Sequence, residues 1–208
     1  MDTIVSRAMA KWPDVPAVYG WLALDRRGQW SIKSAPAAAS AEARFERVTH
    51  PKLIEFIGRN YGHDEQGRWY FQNGPQRVYV NLDYTPLIYR IASAHPLAFE
   101  THTGASCAEL QAAYMDEAGN LLFVSAHGPG LLLDRDLPRA LEALCYADGH
   151  VLDEERLLAL IEEGSDAAGV YFNTGAASLP LALIQSEEAP ARLGYVREPR
   201  PPAGQPDC

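Results

Sequence analysis

Asp-x-x-Gly-x followed by a large apolar residue occurs three times in this chain. The copies are Asp25-Arg26-Arg27-Gly28-Gln29-Trp30, Asp64-Glu65-Gln66-Gly67-Arg68-Trp69 and Asp116-Glu117-Ala118-Gly119-Asn120-Leu121. An aspartate at the first position of a type I turn hydrogen-bonds to its own backbone. A glycine at the fourth supplies the left-handed conformation that a bulged hairpin needs. Each copy therefore predicts a chain reversal between paired strands. The same tetrapeptide is one of the GTPase signatures, but that reading requires an upstream Gly-x-x-x-x-Gly-Lys-Ser/Thr phosphate loop. The chain contains no Gly-Lys pair, so the turns are structural.

The elements between the turns follow from periodicity. Residues 15–32 alternate around the Asp25 turn and predict a hairpin. Residues 34–40 are small and read as a surface loop. Thr49-His50-Pro51 opens a helix, because proline is tolerated in a first helical turn. Leu53, Ile54, Phe56 and Ile57 form its apolar side, and Gly62 its stop. Residues 68–92 predict an antiparallel meander. One face carries Trp69, Phe71, Val78, Val80 and Leu82, and the other Tyr70, Arg77, Tyr79 and Asn81. Asn73-Gly74 suggests a tight turn. Pro75 would then sit where the closing N–H is needed, so a wider loop over residues 73–76 is predicted. Asp83 to Pro86 reverses the chain into a strand over residues 87–92, and His95-Pro96 breaks it. A further strand spans residues 97–101, and residues 109–115 and 121–126 flank the third turn. Residues 130–134 read as a short buried strand.

Two helices follow, one capped by Asp136 and running to about Tyr146, the other capped by Asp153 and stopped by Gly164. Residues 170–173 and 179–185 predict a closing hairpin. The sum is an α+β fold, a largely antiparallel sheet built from hairpins and a meander with about three helices packed on it. Residues 1–196 form a single domain in this reading. Residues 197–208, with four prolines, form a disordered tail.

A formal net charge of −9 disfavours nucleic acid and anionic lipid as partners. No stretch approaches the ~20 apolar residues of a membrane span. Three cysteines and no Cys-x-x-Cys do not make a disulfide framework, which points to a reducing, cytoplasmic setting.

The polar face of the meander is the candidate binding surface. Tyr70, Arg77 and Tyr79, with the Asn73-Gly74 loop beside them, could grip a planar or anionic ligand. The same residues also suit plain cross-strand Tyr–Arg packing on a solvated face. His95, His102, His127 and Cys107 lack the spacing of a metal site. Ser106 or Cys107 could serve as a nucleophile with His102 or His127 as base. However, Gly104-Ala105-Ser106-Cys107-Ala108 departs from Gly-x-Ser-x-Gly. His127-Gly128-Pro129-Gly130 lacks the third glycine of a dinucleotide fingerprint. No cofactor is indicated.

Residues 12–22 (Trp-Pro-Asp-Val-Pro-Ala-Val-Tyr-Gly-Trp-Leu), residues 50–57 (His-Pro-Lys-Leu-Ile-Glu-Phe-Ile) and residues 67–80 resemble an uncharacterised family of proteobacterial proteins, a domain of unknown function. Phe71-Gln72-Asn73-Gly74-Pro75-Gln76-Arg77 is the specific part. The resemblance implies a bacterial protein and brings no activity, cofactor or catalytic residue. Residues 35–43 look like an added loop. The leading expectation is a non-enzymatic binding or assembly module using Tyr70, Asn73, Arg77 and Tyr79 toward a protein or small anionic ligand. The alternatives are a small hydrolase or transferase built on His102, His127 and Cys107, and a structural homodimer that covers a sheet edge.

Overall fold

The computed structural model describes residues 1–34, 44–162 and 167–202. The Ala-rich segment 35–43, the Gly164 stop and the last part of the Pro-rich tail, 203–208, lie outside the described residues. The chain forms two compact units, one of residues 1–86 with 194–208 and one of residues 87–193.

The first unit contains helix α1 (Thr3–Lys11), strands β1 (Val18–Leu24), β2 (Trp30–Lys33) and β3 (Phe45–Arg47), helix α2 (Pro51–Arg59), and strands β4 (Tyr61–His63), β5 (Trp69–Asn73) and β6 (Gln76–Leu82). The strands make one six-stranded sheet in the order β3-β2-β1-β6-β5-β4. Helix α2 docks on this sheet through Phe56 and buried Ile57, while Leu53 of the expected stripe is 40% exposed. Phe56 meets Phe71 edge-on at 5.4 Å, and Trp30, Tyr61 and Trp69 form a chain of ring contacts at 5.0 and 4.9 Å. Burying each such ring contributes about 1.5–3 kcal/mol.

The second unit contains β7 (Leu87–Ala94), β8 (Leu97–Thr101), β9 (Ser106–Cys107), β10 (Leu110–Asp116), β11 (Leu121–Ser125), β12 (Gly128–Leu132), α3 (Leu137–Leu141), β13 (Leu144–Tyr146), α4 (Glu154–Glu162), β14 (Val170–Asn173), β15 (Ser178–Ile184) and α5 (Ala189–Leu193). Its nine strands run β13-β14-β15-β10-β11-β12-β7-β8-β9. The core centres on Phe99, Phe123 and Phe172, whose rings lie 4.8 to 6.2 Å apart.

All three Asp-x-x-Gly turns form as read, joining β1 to β2, β4 to β5 and β10 to β11. In each, the aspartate Oδ1 accepts the N–H groups two and four residues on. The distances are 2.8 and 2.8 Å at Asp25, 3.0 and 3.1 Å at Asp64, and 3.0 and 2.8 Å at Asp116. The fourth-position glycines sit at φ of 77°, 71° and 78°, where a Cβ would be strained.

Several expectations need correction. There are two sheets, and each is mixed: most pairings are antiparallel as expected, but β1 pairs with β6, β10 with β15 and β7 with β12 in parallel. Five α-helices, not about three, lie among the described residues. Helix α1 buries only Val5, so it shows little apolar periodicity. It is tied down instead by the Asp2 N–H to Asn60 Oδ1 at 2.8 Å and by Arg59 to Asp2 at 3.2 Å. Helix α2 ends at Asn60, whose side-chain N–H caps the Phe56 carbonyl at 2.9 Å, and Gly62 belongs to β4.

The β5–β6 hairpin is tight. Asn73 pairs with Gln76, leaving Gly74 and Pro75 as the only loop residues, with Gly74 at φ 59°. Moving the turn one residue along puts Pro75 inside it, where no N–H is needed, so the wide loop is unnecessary. The helix from Asp136 is only α3, after a 3₁₀ turn at Asp134–Asp136, and Leu144–Tyr146 is a strand. Asp136 Oδ2 accepts the Ile91 N–H at 2.9 Å instead of capping. Asp153 does bond the Arg156 N–H at 2.8 Å at the start of α4. Of the expected tail, Arg197 accepts the Leu82 N–H at 2.8 Å through its carbonyl.

Candidate functional site

On β5 and β6, Tyr70 lies opposite Tyr79, Gln72 opposite Arg77 and Asn73 opposite Gln76. Directly opposed residues share a face, so Tyr70, Arg77 and Tyr79 form one surface, as the alternation predicts. The surface is packed rather than solvated. Tyr70 is 8% exposed, Tyr79 3% and Gln72 0%. Parallel pairing of β1 with β6 is the cause. Between the pairs Val18–Val78 and Leu22–Val80, β1 supplies three residues against Tyr79 alone. This bulge lays the Tyr19 ring on Tyr79 at 4.6 Å and 12°. Tyr70 meets Tyr79 edge-on at 5.8 Å.

Two arginines cover the tyrosines. The Arg77 guanidinium lies 4.5 Å from the Tyr70 ring centre and Arg68 4.9 Å from that of Tyr79. Arg68 is held by Asp64, whose Oδ2 accepts from its Nε at 2.8 Å and pairs with its second nitrogen at 2.7 Å. The same oxygen accepts the Tyr79 hydroxyl at 3.0 Å. Burial works against the Asp64 charge, but the Arg68 and Tyr79 hydrogen bonds outweigh it and hold the carboxyl below its ordinary 3.8. Burial, and then the bond to Asp64, push the Tyr79 phenol up. The second turn motif thus doubles as the anchor of the Tyr/Arg surface. Asn73 is exposed at the hairpin tip.

The open part of this face lies further along the same strands. A groove of about 580 Å³ is lined by Gly20, Trp21, Lys33, Asn81 and the segment Glu198 to Pro201. Trp21 and Asn81 each stand two residues beyond a stacked tyrosine, Tyr19 and Tyr79. The Lys33 ammonium lies 6.0 Å from the Trp21 ring centre. Sequence reasoning placed Asn81 on this face but missed Trp21, Lys33 and Arg200. The β1–β6 pairing that gathers them is parallel and leaves no local signal.

In the second unit, His102, His127 and Cys107 are each engaged by main chain. His102 Nδ1 accepts the Ile88 N–H at 3.2 Å, and burial, then the Arg90 charge, lower its pKa to about 3. His127 Nε2–H donates to the Ser106 carbonyl at 2.9 Å. The buried Cys107 thiol donates to the Glu109 carbonyl at 3.4 Å. Among the described residues no hydrogen bond joins this thiol to either imidazole, and no group of three or more His, Cys, Asp or Glu residues is placed to hold a metal. A second groove, about 590 Å³, includes His95, Arg139, Glu142 and Cys145, with Arg139 donating to His95 Nε2 at 2.8 Å. No helix among the described residues is long and apolar enough to cross a membrane.

Fold and site together define a sheet-rich, mixed α+β protein of two units with an aromatic and cationic sheet face. The DUF2944 family model, described as "Protein of unknown function (DUF2946)", matches residues 1–200, and the chain belongs to that family. No curated protein matches it. Among solved structures it is similar to a DUF1285 family protein from Silicibacter pomeroyi DSS-3, at 15% identity and a TM-score of 0.48, over 76% of this chain and 99% of that one. It is also similar to a DUF1285 family protein from Shewanella baltica OS155, at 13% identity and a TM-score of 0.38, over 55% of this chain and 85% of that one.

Proposed function

We propose that the protein is a non-enzymatic binding module that uses the Tyr/Arg face of its first unit to hold a small planar anion. The observation that carries this reading is the groove of about 580 Å³ that continues the tyrosine stack, with Trp21 on its wall and Lys33 and Arg200 beside it. An indole offers a stacking surface, and the two cations and the Asn81 amide supply charge and a hydrogen bond. Tyr70 and Tyr79 are the buried support of this site, while half-buried Arg77 and exposed Asn73 lie further along the face, toward the hairpin tip. Arg200 pairs with Glu198 of the same lining at 3.5 Å, so Lys33 leaves the groove with one net positive charge although the chain is acidic, which favours an anion over a neutral ligand.

Benzoate, with uncharged benzamide as the control, tests this by NMR on the isotopically labelled full chain. Benzoate is expected to shift the resonances of Trp21, Asn81 and Arg77, with benzamide several-fold weaker. Lys33→Ala and Arg200→Ala are expected to weaken benzoate binding, each by about threefold or more. Equal effects of the two probes, or shifts that avoid Trp21, would overturn the proposal.

A further inference from the structure

One wall of the groove differs from the others. Gly20, Trp21, Lys33 and Asn81 belong to β1, β2 and β6, which are fixed by ladder hydrogen bonds. Glu198 to Pro201 belong to the segment after α5. The last main-chain anchors of that segment are the Val196 N–H on the Gly67 carbonyl at 3.0 Å and the Arg197 carbonyl on the Leu82 N–H at 2.8 Å. Beyond them, among the described residues, no hydrogen bond or ion pair ties residues 198–202 to the rest of the unit. Glu198 pairs only with Arg200 of the same segment, at 3.5 Å.

The composition of the segment explains this. Pro199, Pro201 and Pro202 carry no N–H, so residues 198–202 cannot zip onto the sheet as another strand. Packing of the rings holds them instead. Pro199 is buried and Pro201 half-buried, while Glu198 and Arg200 are exposed, which is the period of two of an extended segment. Proline sets φ beforehand and so lowers the entropy lost when the segment is ordered. The segment closes at small entropic cost and opens without breaking a hydrogen bond to the sheet.

We infer that residues 198–201 are a strap that gates the groove. This rests on the anion groove proposed above and adds how a ligand enters and leaves it. Lifting the strap removes one wall and carries the Glu198–Arg200 pair away. Seating Pro199 and Pro201 restores the wall beside Trp21. The hinge is Arg197, where the main-chain bonds stop. A planar anion leaves only when the strap lifts, so its dissociation rate follows the open population.

Pro199→Gly in the isotopically labelled full chain tests the gate by NMR, because both charges of the strap stay in place. In the ligand-free protein, order parameters at the Glu198 and Arg200 amides are expected to fall and the Trp21 indole resonance to move. Val196 is expected to keep its order parameter, since its bond to Gly67 is untouched. With benzoate as the probe, the dissociation rate is expected to rise about two- to fivefold from the freed φ alone. Lost ring packing raises it further. Pro201→Gly, at a half-buried position, is expected to act in the same direction and more weakly. Unchanged order at Glu198 and Arg200 in both variants, an unchanged benzoate dissociation rate, or loosening that spreads to Val196 overturns the inference. Absence of benzoate binding to the wild type defeats the anion reading alone, and the ligand-free order parameters then decide the gate.

Discussion

Asp64→Asn separates the turn function of the Asp-x-x-Gly motif from its second role at the tyrosine surface. Asparagine retains an Oδ1 for the N–H groups of Gln66 and Arg68, so the reversal itself survives. It then points an amide N–H at the Arg68 guanidinium and the Tyr79 hydroxyl, which are bonded to Oδ2 at 2.7 to 3.0 Å. Hydrogen bonds to charged groups are worth about 1.5–3 kcal/mol each. The pair is only 12% and 21% exposed, so solvent screening is limited. A cost of about 2–4 kcal/mol follows, against about 0.5 kcal/mol for Asp25→Asn, where only turn bonds are at stake.

Urea unfolding followed by tryptophan fluorescence measures the difference. Trp12, Trp21, Trp30 and Trp69 all belong to the first unit, so the signal reports that unit alone. Because folding lowers the Asp64 pKa, its contribution is present above the ordinary value of 3.8 and is lost as pH falls through the folded value. Asp64→Asn is therefore expected to flatten the acid limb of stability. Equal costs for the two variants, or an unchanged acid limb, would refute the reasoning.

Gly67→Ala is expected to cost about 3 kcal/mol or more, because its Cβ would lie 2.2 Å from the Gly194 carbonyl oxygen at φ +71°. Gly74→Ala, with open space around it, is expected to cost about 1–2 kcal/mol in the same fluorescence assay. Tyr79→Phe keeps the stack on Tyr19 but removes the bond to Asp64, and a loss of about 1–2 kcal/mol is expected in that assay. His102 is neutral when folded, with a pKa lowered from 6.5 to about 3. The unfolded chain takes up its proton first, so stability of the second unit falls below pH 6.5 by up to about 1.4 kcal/mol per pH unit. Hydrogen exchange at Ile88 in His102→Asn, compared with wild type from pH 7 to 4, is expected to lose that slope.

Local chemistry was legible in the residues, and non-local pairing was not. The three turns, the hairpins they close and the Asp153 start of α4 each rest on a few adjacent residues, and they form as read; of the α2 stripe, Leu53 stays exposed. The alternation on β5 and β6 likewise put Tyr70, Arg77 and Tyr79 on one face. Their burial was invisible because it depends on Tyr19, some 60 residues away from Tyr79 in sequence, arriving by a parallel pairing. Parallel strands need long crossovers and carry no turn signal, and the β10–β15 and β7–β12 pairings were hidden in the same way. Helix α1 was missed because it is held by Asp2, Arg59 and Asn60 rather than by an apolar stripe. The Pro75 error was one of register, and proline excludes a turn position only once the register is known.

The segment after α5 belongs to the first unit. Val196 bridges to Arg68, its N–H bonds the Gly67 carbonyl at 3.0 Å, and Arg197 holds Leu82. The 87–193 unit is thus an insertion in a discontinuous one. A ribosome delivering this chain makes every strand of the six-stranded sheet before the 87–193 unit, yet it releases the residues that clamp the Asp64 turn and β6 only after that unit. Of the two units, the one begun earlier is completed later.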